Sequence, residues 1–275
     1  MKVKFYGVRG SLPVCGKEFE KYGGNTSCFR ILREKVNRIA ILDAGTGIRN
    51  LGKEIVENGI RQDIINIVFS HFHWDHIQGF PFFLPAYDPT YKIGILAMGR
   101  KGKIKDLKGI FSKQMQEDYF PIQMEKMGAQ FEFFSYGDKE TIQGAKVTAI
   151  PQFHKQVGGS YGIRLDDEGV SLVVCTDIEH INGIDEEIVE FAKDADLLIH
   201  DGQYTNDEYE NKFKGYGHST WQHAVDVAVK ANVKRLIITH HDPDHNDAFL
   251  DNCEKECQKI LPNSLFAREG MEVSV

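Results

Sequence analysis

The sequence predicts an α/β chain in which two β-sheets lie face to face with helices on the outside. Three observations predict it. The chain has 275 residues, 41% hydrophobic, 11% aromatic and 27% charged, a globular composition over a length that one large α/β domain can use whole. Its first third reads as short strands, and its last third alternates helix-period with strand-period segments. Residues 64–69 form a short apolar run of the buried-strand type.

Residues 2–8, 28–33 and 38–42 are β-branched or alternating and are bounded by Gly and Asn, so each is predicted as a strand. A helix is expected after Thr46-Gly47, with Ile48, Leu51, Ile55 and Val56 on one face. Strands follow over 64–69, 92–97, 131–134, 145–150, 161–165 and 170–175. A helix over 186–195 leads to a strand over 197–200, a helix over 219–232 leads to a strand over 235–239, and a helix covers 245–260. The helix over 219–232 has a readable start, because Ser219 and Gln222 form an S-x-x-Q capping box. Its predicted buried stripe is Trp221, Val225, Ala228 and Val229. No repeat, low-complexity tract or linker interrupts the pattern, and residues 1–275 are read as one domain.

Forty acidic against thirty-three basic residues give a net charge of −7, which argues against a general nucleic-acid or anionic-membrane binder. No apolar run approaches the ~18 residues of a membrane helix. The longest candidate, residues 80–87, is broken by Pro81 and Pro85. The N-terminus alternates like a strand and has no apolar signal core, so the expectation is a cytoplasmic protein. The five cysteines, odd in number and irregularly spaced, agree with a reducing compartment. Cys253 and Cys257 share helical spacing with Phe249, Leu250 and Ile260 and are read as core filler.

The strongest chemical signal is Ser70-His71-Phe72-His73-Trp74-Asp75-His76, directly after the strand ending at Phe69. Residues two apart on an extended segment point the same way, so His71 and His73 can share one metal. If the chain then turns into a helix, Asp75 and His76 point elsewhere and can hold a second. Imidazole and carboxylate ligands suit Zn, Mn, Fe or Ni. The remaining ligands are expected at other strand ends, where α/β sites form. The chain offers His154, then Asp177 after a strand, and His240 and His241 after another.

On these residues the chain resembles the metallo-β-lactamase-fold hydrolases over nearly its full length. The match rests on His71-Phe72-His73-Trp74-Asp75-His76, His154, Thr176-Asp177 and Thr239-His240, in the family's order. The resemblance implies a four-layer αββα sandwich and a site for two divalent metal ions, zinc first, with Mn, Fe or Ni as alternatives. It implies His71, His73 and His154 for the first metal, Asp75, His76 and His240 for the second, and Asp177 as the bridge. It favours the histidine directly after Thr239, so His240 is the expected ligand and His241 is placed just behind it.

Two divalent metals about 3.5–4 Å apart share a hydroxide, lower its pKa and clamp an anionic ester oxygen. That machinery serves β-lactams, thioesters and phosphodiesters alike, so the substrate must be chosen by other residues. Segments 6–13 and 23–28, His200-Asp201-Gly202 and Gly217-His218-Ser219-Thr220 resemble the phosphodiesterase branch of the family, which includes tRNase Z and cyclic-nucleotide phosphodiesterase-like proteins. By that resemblance His218 contacts the phosphate and gives a proton to the leaving oxygen, and with Asp75 and Asp201 it makes up the expected catalytic set. A helix N-terminus attracts anions, and an imidazole can donate near pH 7. Asp201 stands where tRNase Z has Glu and is expected to orient His218. Asp43 is expected to bond a ligand histidine.

One departure bears on substrate. Bacterial-type tRNase Z places a long tRNA-gripping arm between its third ligand His and its bridging Asp, whereas the interval from His154 to Asp177 holds two predicted strands and a turn. The one basic concentration, Arg100, Lys101, Lys103, Lys105 and Lys108, reads as a solvated face. The expected substrate is therefore a small or cyclic phosphodiester, with no stable nucleic-acid partner and no membrane. A thioester or lactone hydrolase is the alternative; a tRNase Z-type endonuclease and a non-catalytic metal-bound sensor rank below it. Segment 79–87 is read as core, pocket wall or dimer surface, and a homodimer is suggested by resemblance alone.

Overall fold

In the computed structural model, which describes residues 1–33, 36, 38–60, 64–142 and 144–275, the short apolar runs pair into two seven-stranded sheets. Strands β1 (Lys2–Gly7), β2 (Cys28–Leu32), β3 (Arg38–Leu42), β4 (Ile64–Phe69), β5 (Lys92–Ala97) and β6 (Gln130–Ser135) build the first sheet. Strands β7 (Lys139–Ile142), β8 (Ala145–His154), β9 (Gln156–Asp167), β10 (Val170–Cys175), β11 (Leu197–Asp201), β12 (Leu236–Thr239) and β13 (Ser264–Phe266) build the second. The chain then returns as β14 (Glu272–Ser274) to pair antiparallel with β1. The helices are α1 (Ile48–Glu57), α2 (Trp74–Ile77), α3 (Leu107–Gln114), α4 (Glu186–Ala192), α5 (Asn206–Glu208), α6 (Trp221–Lys230) and α7 (Asp247–Ile260).

Strands β3 to β6 run parallel, and so do β10 to β13. Parallel strands are covered on both faces, and their side chains divide accordingly. From β10, Leu172 and Val174 enter the layer between the sheets, while Val173 and Cys175 pack under the helices. Ile65, Ile67 and Phe69 of β4 pack with Ile48, Leu51 and Ile55 of α1 and with Phe111 of α3, and Val68 lies against the inter-sheet layer. Helices α4, α6 and α7 cover the second sheet through Ile188, Ala224 and Leu250. The result is the four-layer αββα sandwich expected from the sequence. The C-terminal ends of both parallel blocks meet at one edge of it. No described helix is long and apolar enough to cross a membrane.

Several local expectations are corrected. Helix α6 starts later than predicted and is capped by Thr220, whose Oγ1 accepts from His223 N at 3.0 Å. Ser219 instead donates its hydroxyl to the Ile178 carbonyl at 2.6 Å. Val229 is exposed, and the buried face carries Trp221, Ala224, Val225, Val227 and Ala228. Strands β8 and β9 run longer than 145–150 and 161–165, because a register shift at Gln152/Phe153 lets the hairpin continue past Pro151 and the glycines after it. Strands β7, β13 and β14 were not predicted, being three or four residues long and mostly polar or half-buried. Segment 79–87 is both core and surface: Phe80, Phe83 and Ala86 are buried, and Phe82 and Leu84 are exposed.

Candidate metal centre

Each predicted ligand sits at or just past the end of a strand. After β4 the chain stays extended through His71 and His73, whose rings lie 4.3 Å apart, and turns helical at Trp74. That turn separates Asp75 and His76 from the first pair. His154 is the last residue of β8, Asp177 follows β10 and His240 follows β12. Asp43, Asp177 and His240 all have left-handed backbones, with φ of 59°, 58° and 64°. Such conformations cost non-glycine residues about 1–3 kcal/mol each and gather at functional sites.

The side chains converge on two sets of donor atoms, His71, His73 and His154 in one, and Asp75, His76, Asp177 and His240 in the other, each within 4.8 Å of one another. Asp177 lies between the sets. Its Oδ1 is 3.7 Å from His71 Nε2, 3.9 Å from His154 Nε2 and 3.3 Å from His240 Nε2, and its Oδ2 is 3.1 Å from His76 Nε2. His71 Nε2 and Asp177 Oδ2 are buried and make no hydrogen bond. Buried polar atoms left unpaired are costly. An orphaned imidazole nitrogen and an orphaned carboxylate oxygen among converging His and Asp donors fit divalent cations of the borderline class.

The far side of each ring is fixed, which decides what the near side presents. His76 Nδ1 donates to Asp43 Oδ2 at 2.8 Å, the contact predicted for Asp43. His71 Nδ1 donates to Ser70 Oγ at 3.1 Å, His154 Nδ1 to the Gly217 carbonyl at 2.6 Å, and His240 Nδ1 to Gln203 Oε1 at 3.0 Å. Those four rings therefore turn Nε2 toward the cluster. The 6–13 loop closes on the same place: Ser11 N donates to Asp75 Oδ2 at 2.8 Å, and a Cβ on Gly10 would stand 2.2 Å from His240 Nδ1.

Burial, aided by the charge of His76, holds His71 well below the ordinary histidine range. Burial also opposes charge on His76 and His240, but the carboxylates win. Asp177, Asp75 and Asp43 hold His76 well above its usual value, and Asp177 with Asp75 raises His240 to about 9. In return, despite burial, the histidines hold Asp75 and Asp177 well below the usual carboxylate range.

His218 and Asp201 stand at the rim. His218 Nδ1 lies 2.8 Å from Asp201 Oδ2, and its ring is 4.9 Å from the rings of both His154 and His240. Asp201 is fully buried and saturated with donors. Oδ2 also accepts from Asp177 N at 3.0 Å, and Oδ1 accepts from Gln203 N at 3.0 Å and Ser219 N at 3.2 Å.

All nine predicted site residues are brought together. His241 is not where it was expected: it is buried, donates Nε2 to the Ala267 carbonyl at 2.9 Å and stacks on Phe266. The left-handed backbone at His240 turns the two neighbours to opposite sides. Sequence reasoning missed Gln203 and Glu179. Buried Glu179 accepts from Tyr209 Oη at 2.9 Å, from Gly215 N, and from Gly217 N at 2.8 Å, so it pins the loop that leads into His218. An acid two residues after Asp177, between Ile178 and His180, was the available signal.

Residues 38–241 match the family described as the beta-lactamase superfamily domain. The chain is 28% identical to a "Ribonuclease Z" of Picrophilus torridus over 315 aligned positions, covering 100% of this chain and 96% of that protein. Among solved structures, the metallo-beta-lactamase fold protein YhfI from Bacillus subtilis has a TM-score of 0.71 at 19% identity, covering 99% of each chain. Human tRNase Z, short form, has a TM-score of 0.69 at 19% identity, covering 100% of this chain and 99% of that one.

Proposed function

The chain belongs to the β-lactamase superfamily and is a metal-dependent hydrolase of its sandwich fold; from that premise we propose that it cleaves small phosphodiesters. His71, His73 and His154 would hold one divalent metal and Asp75, His76 and His240 a second, with Asp177 placed between the two sets as the shared ligand. Zinc is the preferred ion, since imidazole and carboxylate donors in confined geometry suit it. When bound, the metals supply Lewis-acid polarisation of the phosphoryl group and acidify water.

The observation that carries this reading is the His218–Asp201 pair at the rim of the cluster. Cleaving a phosphodiester expels an alkoxide, which needs a proton as its bond to phosphorus breaks. Asp201 accepts the Nδ1 proton of His218 and fixes the ring. With Nδ1 donating to Asp201, the ring gives a proton only as the imidazolium, whose charge the Asp201 carboxylate offsets; its Nε2 proton passes to the leaving oxygen and leaves the neutral Nδ1–H ring. Asp201 also binds Asp177 N, so one carboxylate aligns the proton donor with the bridging ligand. The small-substrate reading is supported by the interval after His154. It consists of β9, a turn and β10, all inside the sheet, with no arm to grip a polynucleotide.

A second reading, an RNA endonuclease, is favoured by the name of the Picrophilus relative. That alignment runs to 315 positions against 275 residues here, so the relative carries segments with no counterpart in this chain. A kinetic screen of the metal-loaded protein separates the readings, using bis(p-nitrophenyl) phosphate, a thioester, a lactone and a 3′-extended precursor tRNA. Turnover of the diester above all others is expected. A thioester or lactone turned over in its place overturns the reading, and faster cleavage of the precursor tRNA installs the second one.

A further inference from the structure

Within the two ligand sets, His73 alone is exposed, so the cluster opens to solvent on that side. The next residue is Trp74, the first of α2, and it is 64% exposed. It lines a cleft of about 620 Å³ together with Pro81, Phe82, Tyr119 and Phe120. That size falls within the roughly 300–1,000 Å³ of small-molecule sites. Phe82 and Phe120 meet edge to face at 5.4 Å, and Phe82 and Tyr119 are themselves exposed. A cluster of exposed aromatics beside a reactive centre calls for a ligand, where a lone exposed apolar residue does not.

The rest of the lining narrows the choice of ligand. Gln78 and Gln114 add amides, and the one charged residue is Asp118. A cleft with a carboxylate and no cation repels a second phosphate, so it does not track a polynucleotide backbone. Gln114 is buried and donates its amide to the Ile77 carbonyl at 2.8 Å, while its Oε1 has no partner.

Resting on the phosphodiesterase reading, we propose that this cleft is the subsite for a planar aromatic group, a nucleobase in chemical class, esterified to the phosphate held at the cluster and stacked on Trp74. Stacking works through the π-face that every base has, and removing one aromatic platform weakens binding about 5- to 150-fold. The substrate class is then a nucleoside phosphodiester carrying a single phosphate.

Two measurements test this. The first compares thymidine 5′-(p-nitrophenyl phosphate) with methyl p-nitrophenyl phosphate, which share a leaving group and differ in the retained alcohol. Trp74→Ala should lower the ratio of their kcat/KM values about 5- to 150-fold, and Trp74→Phe should keep most of it. An unchanged ratio overturns the subsite and leaves the phosphodiesterase reading standing; turnover of neither ester by the wild-type protein overturns that reading. The second needs no turnover. The chain has two tryptophans, and Trp221 is buried in the core. Adenosine 5′-monophosphate should quench fluorescence saturably in the wild-type protein and not in Trp74→Phe, and inorganic phosphate should do neither. No saturable quenching, or equal quenching in the variant, overturns the subsite.

Discussion

His154 donates its Nδ1 proton to the carbonyl of Gly217 across 2.6 Å, and Gly217 is the residue before His218. One peptide therefore sets both a cluster imidazole and the neighbouring rim histidine, and a Cβ on Gly217 would stand 2.5 Å from His154 Nδ1. Glu179 holds that peptide from behind. Glu179→Ala should leave up to three donors without an acceptor and cost about 2–4 kcal/mol of stability, measured by urea denaturation. Activity of the folded fraction should fall as well. Glu179→Gln keeps one acceptor and should lose less in both assays.

A second buried line ends at Asp201. Asp185 N donates to His180 Nδ1 at 3.1 Å, so the His180 proton sits on Nε2, facing His200 Nε2 at 3.4 Å. His200 Nδ1 in turn donates to the Asp201 carbonyl at 2.7 Å. Burial, followed by the charges of His200 and His223, pushes His180 down to about 2. The unfolded chain, with histidine near 6.5, therefore binds more protons than the folded one between those values. Stability is lost as pH falls below about 6.5, by up to about 1.4 kcal/mol per unit for this residue. His180→Asn should be less stable than wild type at pH 7.5, and the gap should narrow by about 2 kcal/mol at pH 5. A gap independent of pH would contradict the assignment of a neutral buried His180.

Metal content tests the ligand sets. Elemental analysis of saturated protein should approach two equivalents, and Asp75→Ala should lose mainly the second. Because His240 is raised to about 9 and must shed its proton to ligate, metal binding should release protons, and apparent affinity should climb with pH up to about 9. Calorimetry in buffers of different ionisation enthalpy reads the proton release. A stoichiometry fixed at one would contradict the two-set arrangement.

The tandem histidines should behave oppositely. His240→Ala should cost activity beyond the roughly 10–100-fold typical of a supporting residue and should lower metal content. His241→Ala should leave metal content near wild type but lower stability by about 2–3 kcal/mol, because it vacates a buried ring site and strips the Ala267 carbonyl of its donor. The reverse pattern would exchange the two roles.

Much of this was legible before the fold was known, for reasons that particular residues make plain. His71 and His73 share a side because the period of an extended segment is two, and the parallel strands announced themselves by apolar runs covered on both faces. Asp43 could be singled out because it directly follows a strand, as the candidate ligands do. What lay hidden depends on long-range register or on backbone sign. Glu179 matters through a loop 36 and 38 residues away. Gln203 reaches a ring 37 residues on. His241 departs from His240 because of a left-handed φ that two adjacent histidines do not encode. The helix cap moved from Ser219 to Thr220 because the Ser219 hydroxyl is drawn to Ile178, a partner outside any local motif.

The most direct test of the central claim, phosphodiester cleavage with His218 as proton donor, is the leaving-group dependence of His218→Ala. An alkoxide leaving group needs general acid help worth about 10²–10⁴-fold, and p-nitrophenolate needs far less. Wild type and variant are compared on a diester with a poor leaving group and on bis(p-nitrophenyl) phosphate, with metal content checked in both. The account predicts a much larger loss on the poor leaving group at unchanged metal content. Equal losses on the two substrates would reduce His218 to a binding group, and no loss on either would contradict the account.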